Sequence, residues 1–224
     1  MGNERSAGLQ PQVGGVAERP GLRVSNGLKD FLWHLSDLEH GHLLDLGPVW
    51  QSTVSFFTER GFKVYTEDLL RAWKDHLRAE EERLRAAPIG ELSGELSQDF
   101  GMAAIADRFA KTNLIYPLET FHAALAWDAF DFMDSELLPR VVARLHELLK
   151  PGAVILAIFH SRKPESFHRY RVLDTQTIEL LPASTLSPPH RIFQNREILN
   201  LFSRFRSSKT YVGRDQLREG LFLK

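Results

Sequence analysis

His42-Leu43-Leu44-Asp45-Leu46-Gly47-Pro48 decides the fold, read together with Gly61-Phe62-Lys63-Val64-Tyr65-Thr66-Glu67-Asp68 about twenty residues later. The first stretch is a short apolar strand ending in Asp-x-Gly, and the second is a strand ending in acid. Between them, 51–60 has the pattern of a helix, so the unit reads strand, tight turn, helix, strand. An acid just beyond the carboxyl end of the second strand lies where ribose hydroxyls bind in α/β proteins, because a carboxylate accepts two hydroxyl hydrogen bonds. The turn is not a dinucleotide fingerprint. Gly47 is followed by Pro48, Val49, Trp50, Gln51 and Ser52, where a G-x-G-x-x-G turn needs further glycines. Asp45 repels phosphate and suits a cationic ligand.

This unit resembles the class I S-adenosylmethionine (SAM)-dependent methyltransferases, whose first motif is Glu/Asp-x-Gly-x-Gly-x-Gly at the end of the first strand. Asp45 and Gly47 match it, and Val49 and Gln51 stand at the second and third glycines, so the motif is degenerate. Asp68, or its neighbour Glu67, matches the acid ending the second strand, and 121–128 looks like the fourth strand. Residues 137–157 resemble the helix, the Leu-Lys-Pro-Gly turn (Leu149 to Gly152) and the fifth strand of these enzymes. The resemblance covers roughly residues 27–160, with a weaker match in the tail. It implies a Rossmann-like α/β fold, a mostly parallel sheet of about seven strands flanked by helices with the last strand antiparallel. The cofactor implied is SAM, which carries a sulfonium and an ammonium and no phosphate, with Asp45, Gly47, Asp68, Glu67 and Trp127 as its contacts.

Composition bounds the partners. The 224 residues are 43% hydrophobic and 25% charged, enough for one well-buried core. A formal charge of -1 gives no basic surplus for a phosphate backbone, so nucleic acid is not an expected partner. The chain has no cysteine, which excludes disulfides and thiolate metal sites and fits a cytoplasmic protein. Its longest apolar run, 153–159, is far shorter than the roughly 20 residues of a membrane span, and no apolar signal core opens the sequence. A soluble, unexported protein with no membrane contact is expected.

Residues 1–25, rich in Gly, Pro, Arg and Gln, read as a flexible tail before a single domain over 26–224. Leu28, Phe31, Leu32, Leu35 and Leu38 recur at helical spacing, with Asn26 as N-cap. A charged amphipathic helix is expected over 69–85, a loop over 88–97, a helix over 98–110 and a third strand near 113–116. Beyond His160, an accessory hairpin around 168–190 precedes a helix at 198–205 and a closing antiparallel pair at 209–212 and 220–224.

Asp128 and His160 end the expected fourth and fifth strands, at the sheet edge where such proteins bind ligands, and are the candidate acid–base residues. The plain alternatives are a cap on the 129–132 turn for Asp128 and a surface histidine for His160. Asp68 has a helix N-cap as its alternative, and Trp127 an ordinary core position. The histidines are too scattered for a metal site, and no Gly-x-Ser-x-Gly elbow is present. The reading is methyl transfer from SAM to an unidentified acceptor, expected to be a small molecule. Its rival is a non-catalytic methyltransferase-like scaffold that binds a protein partner, with Val49 and Gln51 narrowing the cofactor turn. A nicotinamide enzyme ranks third for want of glycines.

Overall fold

The computed structural model describes residues 21–86, 101–164, 167–183, 191–213 and 215–224. The elements run β1 (Leu22–Val24), α1 (Asn26–Leu35), β2 (Gly41–Asp45), α2 (Gln51–Thr58), β3 (Phe62–Thr66), α3 (Leu69–Ala86), α4 (Met102–Thr112), β4 (Phe121–Trp127) and a 3-10 turn (Ala129–Phe132). There follow α5 (Leu137–Leu148), β5 (Leu149–His160), β6 (Phe167–Val172), β7 (Thr177–Ala183), α6 (Asn195–Leu201), β8 (Ser207–Val212) and β9 (Leu217–Leu223).

Among the described residues the main sheet has six strands in the order β3-β2-β4-β5-β9-β8, the first four parallel and the last two antiparallel. This is the expected Rossmann-like α/β architecture, with one strand fewer. Strands buried on both faces are apolar without a break, as in Ala153 to Phe159, because helices cover each side. Leu44, Ala124, Ile155 and Phe159 face α3, α4, α5 and α6, while Leu43, Leu125, Leu156 and Ile158 face α1 and α2. The order places β2 between β3 and β4, so the chain leaves β2 in one direction and returns on its other side. The crevice beyond the carboxyl ends of β2 and β4 is therefore the switch point where such sheets take ligands.

The segment 113–116 is not a strand. Leu114 has φ 54°, a left-handed conformation that stops extension, and the Arg144 guanidinium caps its carbonyl and that of Tyr116. The tail is also shorter than expected. Leu22–Val24, assigned to it by composition, forms β1, which pairs antiparallel with β7 and completes a three-stranded sheet β1-β7-β6. Ser25, not Asn26, caps α1, accepting from the Leu28 amide at 2.8 Å. The expected loop over 88–97, the start of the expected helix at 98 and the end of the hairpin region at 184–190 lie outside the described residues, as does most of the expected tail.

The small sheet packs beside α1 and α2 and leans over the crevice. One buried ion pair ties it to the main sheet. Glu219 of β9, 1% exposed, accepts from Arg23 Nε of β1 at 3.1 Å and from the Gly27 amide of α1 at 2.7 Å. Gly27 permits this approach, since a Cβ there would stand 3.0 Å from Glu219. Arg23 also donates to the partly exposed Asp215, so Glu219→Ala leaves the guanidinium that one partner and is expected to lower unfolding stability by about 1–3 kcal/mol, below the roughly 3–5 kcal/mol of an uncompensated buried charge. Urea denaturation checks this; a loss under about 1 kcal/mol would mean that Asp215 alone compensates Arg23.

Candidate functional site

The carboxyl end of β2 delivers Asp45 into the protein interior. It is 1% exposed, and its Oδ1 accepts from the Gly47 amide at 3.0 Å and from Trp127 Nε1 at 2.7 Å. Its Oδ2 takes no hydrogen bond among the described residues. Burial raises the Asp45 pKa from its ordinary 3.8 to about 6, against the lowering effect of the two donors. With a pKa of about 6 the carboxylate is mostly ionised at neutral pH, both donors sit on one oxygen, and a cation beside the other would be favoured.

Gly47 is required by space. A Cβ there would lie 2.5 Å from Trp127 Cδ1. Trp127 itself leaves β4 in the left-handed region, φ 48°, where a bulky residue is strained, and its ring stacks on Tyr170 of β6 at 5.8 Å with a 5° interplanar angle. Trp127 therefore lies over the Asp45–Gly47 turn. Val49, in contrast, is 62% exposed, and Gln51 bonds Ser55 on the surface of α2. The side chains that replace the expected glycines point away from the cradle, and what narrows it is Trp127.

Asp68 and Glu67 diverge. Glu67 accepts a hydrogen bond from the Tyr116 hydroxyl, away from the crevice. Asp68 lines a cavity of about 90 Å3 with Leu46, Gly47, Leu70, Trp127 and Asp128. It also caps α3, its Oδ1 accepting from the Arg71 amide at 3.3 Å, so both roles weighed for it coexist, with its other oxygen available.

At the edge of β4 and β5 four side chains form a chain of contacts. Asp131 Oδ2 accepts from the His160 amide at 2.7 Å and lies 2.8 Å from His160 Nδ1. His160 Nε2 stands 3.9 Å from Asp128 Oδ2, which accepts from the Tyr170 hydroxyl at 3.2 Å. Burial raises Asp128 to about 7, against the favourable charge of His160. Burial pushes the His160 imidazole down, but the hydrogen bond it donates to Asp131 and the charges of Asp128 and Asp131 outweigh it and leave its pKa raised. Asp131 Oδ1 is buried without a partner. The structure thus brings Gly47, Asp68, Trp127 and Asp128 to one cavity, while Asp45 lies behind its wall, bonded to Gly47 and Trp127. His160 joins them through Asp128 but lines a neighbouring cavity of about 250 Å3, and Glu67 stands apart.

Asp131 and Tyr170 were not singled out from the sequence. Asp131 is three residues beyond Asp128 on a 3-10 turn, a spacing that was readable; Tyr170 reaches the site only through the packing of the hairpin. Among the described residues, no group of three or more His, Asp or Glu side chains is placed to hold a metal, and no helix is long and apolar enough to cross a membrane.

No family model matches the chain, and no curated protein matches it. Among solved structures, the chain is similar in structure to SAM-dependent methyltransferases. One is the Burkholderia thailandensis 1,6-didemethyltoxoflavin-N1-methyltransferase with bound 1,6-didemethyltoxoflavin and S-adenosylhomocysteine, at 16% identity over 88% of this chain and 76% of that one, TM-score 0.46. Others are SAM-dependent methyltransferases from Methanosarcina mazei (14%, 86% and 96%, 0.43) and Aquifex aeolicus (15%, 88% and 90%, 0.43). With TM-scores below 0.5, what the cleft binds is read from its own residues.

Those residues fit SAM chemically. The cavity walls are mostly apolar, the acid at β3 suits a ribose, and the free oxygen of Asp45 suits a cation. No glycine-rich turn is present to cradle a pyrophosphate. The space is smaller than the roughly 300–1,000 Å3 of ligand pockets, and Trp127 with Tyr170 closes it.

Asp45 has a stability signature. Between pH 4 and 6 the folded chain holds a proton on Asp45 that the unfolded chain has released, so stability falls as pH rises through that window and stays lower above it. Asp45→Asn keeps an acceptor for Gly47 and Trp127 without the charge. Its melting temperature is expected to gain on wild type as pH rises from 4 to 7, by up to about 3 kcal/mol of stability. Parallel melting curves across that range would contradict the burial of an ionised carboxylate.

Proposed function

We propose that the protein is a SAM-dependent methyltransferase acting on a small-molecule acceptor. The observation that carries the reading is Asp68 in one apolar cavity at the switch point of the sheet, with the carboxylate of Asp45 held directly behind the Gly47 and Trp127 that line it. A carboxylate in the cavity and a second behind its wall, with no phosphate cradle, favour a cationic nucleoside. When bound, SAM supplies a methyl group on a positively charged sulfur, already a good leaving group. Asp68 would accept hydrogen bonds from the ribose hydroxyls and Asp45 from the ammonium, while Leu46, Leu70 and Ala126 exclude water. In-line positioning is worth up to roughly 7–11 kcal/mol in favourable systems, so little further machinery is needed.

A base matters only for a weak nucleophile such as a hydroxyl, and Asp128 is suited to it. A carboxylate with a pKa of about 7 is divided between its two forms at neutral pH and can take a proton from an acceptor without being too weak a base. His160, held by Asp131, would be the positioning residue that stabilises the ionised form of Asp128. Admission of the cofactor requires the Trp127 ring to leave the turn, or the hairpin to lift. That closure is also the one observation favouring the scaffold reading, in which the cradle is permanently filled and no ligand enters.

Calorimetric titration with S-adenosylhomocysteine separates the residues. Asp68→Ala is expected to weaken binding by roughly 1.5–3 kcal/mol, the value of a hydrogen bond to a charged group, and Glu67→Ala by much less. Asp128→Asn should leave affinity near wild type while slowing transfer about 10²–10⁴-fold once an acceptor is found. Equal losses at Asp68 and Glu67 would overturn the ribose assignment.

A further inference from the structure

A larger cavity, about 620 Å3, opens beside the cofactor cleft and plays no part in the reading so far. Its charged lining is Arg71, Lys74 and Arg78 of α3, Arg169 of β6, and the carboxylates of Asp68 and Asp75. On a helix, positions 71, 74 and 78 share one face, and Arg169 comes to the same cavity from the hairpin. Asp75 is engaged by Arg78 at 3.3 Å and lies 3.9 Å from Arg71 Nε. Lys74 and Arg169 have no carboxylate partner among the described residues. Four cations against two carboxylates leave an excess of two positive charges around one concavity. The whole chain carries 28 basic and 29 acidic residues, so this excess is local. Solvated surface cations usually point apart into water; here they come from two separate elements to one concavity, where a single anion can meet several of them.

The geometry points to this cavity as the site that holds the anionic group, a phosphate or a carboxylate, of the methyl acceptor. Pro48, Asp68 and Arg169 line both cavities, so a molecule anchored here by its anionic end has its remainder directed into the cleft that holds Asp128. A small acidic molecule fits this arrangement. A polyanionic chain would need a continuous basic track, and the balanced overall charge does not provide one. The anion site stands on its own geometry; naming its ligand the acceptor rests on the methyltransferase reading above.

Inorganic pyrophosphate and citrate are the probes, titrated calorimetrically into the whole protein at low ionic strength, with and without saturating S-adenosylhomocysteine. Binding with a dissociation constant of about 1 mM or tighter is expected. It should weaken at least about tenfold in the double variant K74E/R169E and fall with added salt, since the charges are exposed. The variant K29E/K63E, with the same change in charge elsewhere on the surface, should bind as wild type. Preference for pyrophosphate assigns a phosphate, and preference for citrate a carboxylate. Absence of heat at about 20 mM, or equal weakening in the two double variants, would overturn the site. Displacement of the probe by S-adenosylhomocysteine would overturn its assignment to the acceptor. If pyrophosphate behaves as expected and S-adenosylhomocysteine does not bind, the anion site stands and the methyltransferase reading fails.

Discussion

A carboxylate removed from water is the constraint around which this cleft is arranged. Asp45 sits at the end of β2 with almost no exposure, and a buried acid must find donors or a cation. Two donors reach it, the Gly47 amide and the Trp127 indole, and both converge on the same oxygen. That geometry dictates the neighbours. Position 47 must lack a side chain because the indole passes where a Cβ would stand. Trp127 must turn out of β4 with a positive φ to aim its ring back at β2, and the ring then offers a flat face on which Tyr170 stacks. The width of the cleft and the Trp127–Tyr170 wall that closes it both follow from where one carboxylate was buried.

The hairpin that closes the cleft is held at both ends of this logic. Tyr170 joins it to Trp127 and to Asp128, while β1, paired to β7, is anchored through Arg23 to Glu219 in the main sheet. The residue whose ring stacks above the cradle thereby donates its hydroxyl to the contact chain of Asp131, His160 and Asp128. The Tyr170 hydroxyl holds the proton affinity of Asp128 down against the effect of burial. The basic cavity shares Arg169 with this hairpin, which is tied to the rest of the molecule by Tyr170, by the Val172 amide donating to Thr53 and by the Arg23 ion pair.

Much of this was legible before any coordinates. The apolar run ending in Asp45, the helix expected over 51–60 and found at 51–58, and the apolar strand of β5 are local patterns, and local patterns survive folding, although Leu149 to Gly152, expected as a turn, are the irregular first residues of β5 itself. What escaped reading depended on distant partners. β1 has three residues and no periodicity of its own; it is a strand because β7, more than 150 residues away, accepts it. Residues 113–116 have strand composition, yet Arg144 from α5 holds their carbonyls in a turn. The missing glycines were expected to crowd the cofactor turn at Val49 and Gln51, whereas those side chains face outward and the crowding comes from Trp127, read as a ligand contact or core residue. Asp128 and His160 were identified by their places at strand ends, but the Asp131 and Tyr170 that tune them belong to a turn and to a hairpin whose docking no sequence period encodes.

The central claim is that the free oxygen of Asp45 receives the cationic end of a nucleoside ligand. The most direct measurement is the affinity of S-adenosylhomocysteine for wild type and for Asp45→Asn at pH 8, where the carboxylate is ionised, determined by calorimetry with NADH as a control. Micromolar binding to wild type, weakened at least about tenfold by the substitution and absent for NADH, is the predicted result. Equal affinity for the two proteins, or no binding to either at about millimolar ligand, would contradict it.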